Sequence, residues 1–200
     1  KVTNHAKAIL HAWYPGSLGG LAVAEILAGE TNPCAKLPVT IHYASNNIPD
    51  FKDYDMRGRT YRYLTEAPIY PFGYGLSYTT FAFSGAKLVS ADDEKITVSV
   101  DVENTGAVKG KEKVQVYAQY TDSRIHTPNY QLCAIKPVEL EAGEKATVTL
   151  DIDRYWVKAV LADGSRVDPD GKVALYLGGS QPDELSLSLT GSNCEKIELN

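Results

Sequence analysis

Residues 96–104 read ITVSVDVEN, and their reading decides the fold of the chain. Apolar and polar residues alternate without a break. Successive side chains of a strand point to opposite faces, so Ile96, Val98, Val100 and Val102 share one face and the polar residues the other. That is the pattern of a strand with one side buried. The same texture runs onward from this point. EKVQVYAQY (112–120) puts Val114, Val116 and Ala118 on one face. QLCAIKPVEL (131–140), KATVTLDI (145–152), KVALYLGG (172–179) and ELSLSLTG (184–191) read as further strands, and AKLVS (86–90) as one before them. The turn signals NTG, EAGE, DG and GGSQPD separate them. About seven short strands at this spacing predict a β-sandwich of immunoglobulin-like or fibronectin-like type over 84–200.

Upstream the texture changes. AILHAW (8–13) is an apolar run halted at Pro15 and Gly16, which predicts a buried strand. Ser17 is placed to cap a following helix, LGGLAVAEILAG, with Gly19, Val23, Ile26 and Leu27 on one side. Gly29 is placed to end it, as a residue free to take positive φ. Strand, tight turn and helix are the parts of an α/β layer. Trp13 to Gly16 and the Gly19–Gly20 helix start fall where open α/β sheets gather ligands, or are simply tight strand–helix packing. The fold expected is therefore an α/β tail segment over 1–83, carrying a long irregular stretch, followed by an all-β sandwich.

The irregular stretch spans about 31–80 and is punctuated by Pro33, Pro38, Pro49, Pro68 and Pro71. Such a length without regular structure is either functional or draped over another body. It ends in YPFGYGLSYTTF (70–81), where Tyr70, Phe72, Tyr74, Tyr78 and Phe81 alternate with Gly73 and Gly75. Rings that bury large areas, set beside residues with free backbone geometry, read as a molded joint.

Bulk properties narrow the function. Net charge is −5 with no Lys/Arg-rich run, which argues against nucleic acid. No apolar run approaches the ~20 residues of a membrane span. Cys34, Cys133 and Cys194 form no disulfide or metal pattern, and His5, His11, His42 and His126 are scattered. No metal and no cofactor is expected. The chain starts at Lys1 with no visible signal peptide, which reads as a processed or longer protein and leaves its location open between bacterial cytoplasm and secretion.

These segments, taken together, resemble glycoside hydrolase family 3, which includes β-glucosidases and β-xylosidases. AILHAWYPGSLGGLAVAEILAGETNPCAKLPVT resembles the closing strand–helix part of that family's α/β sandwich domain. RGRTYRY (57–63) and PIYPFGYGLSYTTF (68–81) follow in the family's order. VDVENTGAVKGKEKVQVYAQY and LEAGEKATVTLDI resemble its C-terminal fibronectin type III-like domain. The chain departs from the family at Cys34–Ala35, where Ser-Gly is commoner, and near Ala134–Ile135, where a Gly-Phe pair is.

The resemblance implies a part of a retaining exo-β-glycosidase acting on terminal β-linked sugars of oligosaccharides. It implies a nucleophilic aspartate on an upstream barrel and a general acid/base in the upstream sandwich domain. A retaining enzyme needs two carboxyl groups about 5–5.5 Å apart, and no motif here matches either, so no catalytic residue is assigned. The expected partners are those upstream barrel and sandwich domains and a β-glycoside substrate, with no nucleic acid and no membrane. The apolar faces of 1–30 would also favour self-association of the isolated chain.

The nearest thing to a paired-carboxylate cluster is DFKDYDMRGRTYRY (50–63). Two readings stand for it. In one, Asp53, Asp55, Arg57 and Arg59 bond sugar hydroxyls while Tyr61 or Tyr63 stacks on a sugar ring. In the other they are salt bridges of a loop crossing a domain surface. The alternative function is a noncatalytic carbohydrate-binding or domain-organising module.

Overall fold

The computed structural model describes residues 5–43 and 49–199. The chain divides into two compact units, 1–33 and 34–200.

In the larger unit the alternating segments form strands β1 (Phe81–Ala91), β2 (Lys95–Asn104), β3 (Gly110–Thr121), β4 (Gln131–Leu140) and β5 (Lys145–Asp153). A single 3-10 turn, Arg154–Val157, leads to a short hairpin of β6 (Ala159–Val160) and β7 (Arg166–Val167). β8 (Lys172–Gly178) and β9 (Cys194–Leu199) complete the set. One sheet has the order β1-β2-β5 and the other β4-β3-β8-β9. All pairings in both are antiparallel.

Register shows why these strands hold. Ile96 faces Ile152, Val98 faces Leu150 and Val100 faces Val148 across β2 and β5. Each is at most 5 % exposed. From the second sheet Val114, Val116, Ala118, Leu175 and Leu177 join the same core, all fully buried. Cross-strand apolar pairs and burial against the facing sheet are what stabilise such a pattern. β1 begins at Phe81, ahead of the AKLVS segment, and shifts register between Ser84 and Lys87. Gly85 lies at that shift with φ +63°, a backbone region that favours glycine.

One segment expected as a strand is not one. Residues 184–190 of ELSLSLTG form helix α3, the third among the described residues. Asp183 Oδ1 accepts from the Ser186 N–H at 3.0 Å and Gly191, at φ +64°, closes the other end. N-cap carboxylate and left-handed glycine define a helix from both sides. The alternation misled because Leu185 and Leu189 also stand at helical i,i+4 spacing. The strand edging that sheet is instead Cys194–Leu199.

Residues 34–80 belong to the same compact unit as the strands. The described ones are mostly irregular, with one turn of helix α2 at Thr60–Tyr63. Their order comes from backbone bonds between distant parts. Leu37 N–H donates to Tyr74 at 2.8 Å, Gly73 N–H to Leu37 at 2.8 Å, and Ile69 N–H to Ile41 at 2.8 Å. Ile41 and Tyr70 form an isolated antiparallel bridge.

In the smaller unit helix α1 runs Gly19–Ala28 and ends at Gly29, φ +78°. Leu18, not Ser17, is the N-cap, and it makes no side-chain bond. Gly19 instead packs on the Pro15 ring, where a Cβ would overlap it. Residues 8–13 form no strand, and all are exposed. Strands are stabilised by a paired neighbour, and the described residues of this unit hold no strand to pair with.

Candidate functional site

The aromatic stretch 70–81 docks the irregular segment onto the β3 sheet. Gly73 (φ +78°) lies against the Tyr117 hydroxyl and Gln115. Gln115 Nε2 donates to the carbonyls of Gly73 at 3.1 Å and Gly179 at 2.8 Å, and Tyr117 Oη donates to Gln115 Oε1 at 2.6 Å. Burial pushes the Tyr117 hydroxyl well above its ordinary pKa, so it stays a donor. Lys36 Nζ donates to the Gly75 carbonyl at 3.0 Å and pairs with Glu112. Tyr70 stacks on Tyr74 and Phe72 on Tyr61, with centroids 5.4 and 4.1 Å apart. These polar anchors went unnoticed in the sequence. One signal was present: Glu112 has the parity of Val114 and Val116, a charge on the apolar face of its strand.

The 50–63 loop is tied mostly to itself. Asp53 accepts from the Asp55 N–H at 2.9 Å, and Asp55 from the Arg57 N–H at 2.9 Å. Arg57 clasps Asp55 with Nε at 2.9 Å and a terminal nitrogen at 2.7 Å. That bond holds the Asp55 carboxyl below the usual carboxylate range, so it is ionised at neutral pH and cannot serve as a proton donor there. Arg59 donates to the backbone carbonyls of Asp50, Asp53 and Asp55. Asp53, Asp55 and Arg57 therefore form one exposed cluster, with the half-buried Arg59 beneath it. The two tyrosines point elsewhere. Tyr61 stacks on Phe72, and its hydroxyl accepts from the Leu132 N–H at 3.2 Å. Tyr63 stacks on His126 at 5.3 Å.

Beside Tyr61 opens a groove of about 530 Å³. Its walls come from Thr40, from residues 61–72, from the end of β3 and the loop after it (119–130), and from 181–185 at the start of α3. Tyr61, Phe72, Tyr120 and Tyr130 supply rings; Thr40, Glu66, Gln119, Asn129, Gln181 and Asp183 supply polar groups. Asn129 is fixed by its N–H to the Arg62 carbonyl at 2.6 Å and its side chain to Leu64 at 2.9 Å. Among the described residues three buried side-chain polar atoms lack a hydrogen-bond partner, and two of them, Thr40 Oγ1 and Gln181 Oε1, are on residues that line this groove. No group of three or more metal-ligating side chains occurs among the described residues. The sequence reading took GGSQPDELS as a plain turn. Nothing local in it signals that Gln181 meets residues 61–72 in space.

The glycosyl hydrolase family 3 C-terminal domain model matches residues 1–78, and the fibronectin type III-like domain model matches 112–181. The chain is 39 % identical over 191 residues to a xylan 1,4-beta-xylosidase of Xylanibacter ruminicola, covering 94 % of this chain and 22 % of that protein. It is 36 % identical over 197 residues to a periplasmic beta-glucosidase of Salmonella typhimurium, covering 89 % and 25 %. The chain thus spans about a quarter of the length of these curated relatives. Among solved structures, a Bifidobacterium adolescentis GH3 beta-glucosidase superposes with a TM-score of 0.80 at 28 % identity, over 98 % of this chain and 30 % of that one. A b-glucosidase of Erythrobacter marinus gives 0.78 at 31 %, over 100 % and 26 %. With two domain models matched in order and relatives that align along most of its length, the chain belongs to glycoside hydrolase family 3.

Proposed function

We propose that this chain serves as the C-terminal part of a retaining exo-β-glycosidase, a β-glucosidase or β-xylosidase that releases terminal β-linked sugars from oligosaccharides. The observation that carries this is the alignment of nearly the whole chain with a xylan 1,4-beta-xylosidase and a periplasmic beta-glucosidase. In this reading the nucleophile and the acid/base belong to upstream barrel and sandwich domains, which are the partners of these residues. We take the α/β segment as 1–83 and the fibronectin type III-like sandwich of about seven strands as 84–200, its first strand entering from Phe81.

The role of these residues is to brace those domains and to line the substrate cleft with the 50–63 loop. Asp53, Asp55 and Arg57 face solvent and are of the type that bonds sugar hydroxyls, with Arg59 holding the loop's shape. We assign Tyr61 and Tyr63 to the loop's support on the evidence of their stacking. The isolated chain self-associates in this reading, since Tyr14, Leu18, Leu21 and Leu27 are more than half exposed in the 1–33 unit. Monomeric light scattering at high concentration would count against that part.

The test is hydrolysis of aryl β-glucoside and aryl β-xyloside by the purified 200-residue chain. No turnover above a buffer blank is expected. Turnover that survives removal of contaminating enzyme would overturn the assignment, and Asp53, Asp55 and Glu66 would be the carboxylates to mutate.

A further inference from the structure

The groove beside Tyr61 has no place in the chemistry above. We propose that it is a separate binding site for a neutral saccharide, read by Gln181 and Thr40.

Gln181 is the deciding residue. It is 7 % exposed, and its Nε2 donates to Asp183 Oδ2 at 2.8 Å. Asp183 is itself fixed, because Oδ1 accepts from the Ser186 N–H at the start of α3 and Oδ2 from the Ser186 hydroxyl. The amide cannot turn over, since Oε1 would then face a carboxylate oxygen. The carbonyl Oε1 is thereby left as an acceptor without a protein partner. Buried polar groups are almost always satisfied, and an exception calls for a ligand or an ordered water. Thr40 Oγ1 is a second exception in the same groove.

The chemistry of the walls selects the ligand class. No Lys, Arg or His is among the described residues that line the groove, and Glu66 and Asp183 do. An anion is therefore repelled, which excludes phosphates and nucleic acid. The orphaned Oε1 asks for a donor, and Thr40 can donate or accept. Tyr61, Phe72, Tyr120 and Tyr130 add apolar ring surface. A sugar ring carries both halves of this requirement, with C–H bonds across its face and hydroxyl donors at its edge. A volume of about 530 Å³ falls within the usual range for small-molecule sites.

The inference rests on the glycosidase reading only for the choice of probe. The experiment titrates the 200-residue chain with cellotriose and xylotriose, read by calorimetry and by tyrosine fluorescence. Saturable binding of at least one is expected. Gln181→Met, which keeps the size but removes the amide, should weaken it by about tenfold or more. Thr40→Val should weaken it too, and serves as the second variant should Gln181→Met unfold. Both are checked for an unchanged thermal transition. The proposal is overturned by absence of saturable binding up to millimolar sugar, or by binding that neither variant alters. It is overturned as well if a neutral acetylated glycine peptide binds equally well with the same sensitivity, which would make this an amide site. None of these outcomes touches the hydrolysis test, so each reading can fail alone.

Discussion

Lys36 Nζ lies 2.8 Å from Glu112 Oε1, and the two side chains are only 11 % and 8 % exposed. This pair fastens the irregular 34–80 segment to strand β3. A buried ion pair costs desolvation on both sides, so its net value against an apolar pair is small. Removing one partner is different, because it strands the other charge out of water. Glu112→Ala is therefore expected to destabilise the chain by about 3–5 kcal/mol in urea unfolding. The double variant Lys36→Met/Glu112→Leu should recover much of that loss. A single variant no less stable than the parent would mean the pair is solvated in solution.

Gly73 tests the same seam by shape instead of charge. Its φ is +78°, and a Cβ there would overlap the Tyr117 hydroxyl and Gln115. Gly73→Ala carries backbone strain of about 1–3 kcal/mol, and the overlap adds to it. The expected result is a lower urea midpoint together with faster proteolysis between residues 34 and 80. Local cleavage without a shift of the midpoint would show that the segment detaches independently of the sandwich.

How much of this was legible beforehand depends on how local the signal was. Residues 96–104 announced themselves because Ile96, Val98, Val100 and Val102 are all buried, as strict alternation demands. The helix stop at Gly29 was equally local. ELSLSLTG failed because its alternation fits a short helix as well, and the caps Asp183 and Gly191 decided the matter. Residues 8–13 failed because a strand depends on its neighbours, which no pattern within six residues can report. The 50–63 cluster was visible as residue types, but not that Arg57 would clasp Asp55 while Tyr61 turned to Phe72. Gln181 and Thr40 lie 141 positions apart in the numbering and meet only through the fold, so the groove had no sequence signature.

The centre of the sandwich should behave as close-packed matter. Ile152 is fully buried and faces Ile96 across β2 and β5. Ile152→Ala removes three carbons where neighbours from two sheets already touch, and is expected to cost about 2–5 kcal/mol. Equilibrium denaturation with an unchanged slope checks it. A loss below about 1 kcal/mol would show that the core collapses to fill the space.

Acid should loosen the loop that walls the groove. Asp170 accepts from the Ser123 hydroxyl at 2.7 Å and from Arg124 Nε at 2.9 Å, joining the loop after β3 to the turn before β8. Those bonds, the Ser123 one foremost, lower its pKa from 3.8 to about 2. A carboxyl whose folded pKa is depressed binds its proton less readily than in the unfolded chain. Its contribution is thus complete above the unfolded value and disappears as pH falls through the folded one. The window runs from about pH 4 down to about pH 2. Asp170→Asn should lower the melting temperature slightly at neutral pH and flatten the fall of that temperature across the window. Asp101 and Asp151 are lowered by their own threonine partners, Thr147 and Thr97, so a residual slope remains. A variant whose acid slope matches the parent's would show that Asp170 is not bonded to Ser123 and Arg124 in solution, and the 122–130 wall would have to be held by its other contacts, the Asn129 bonds and the Tyr63–His126 stack among them.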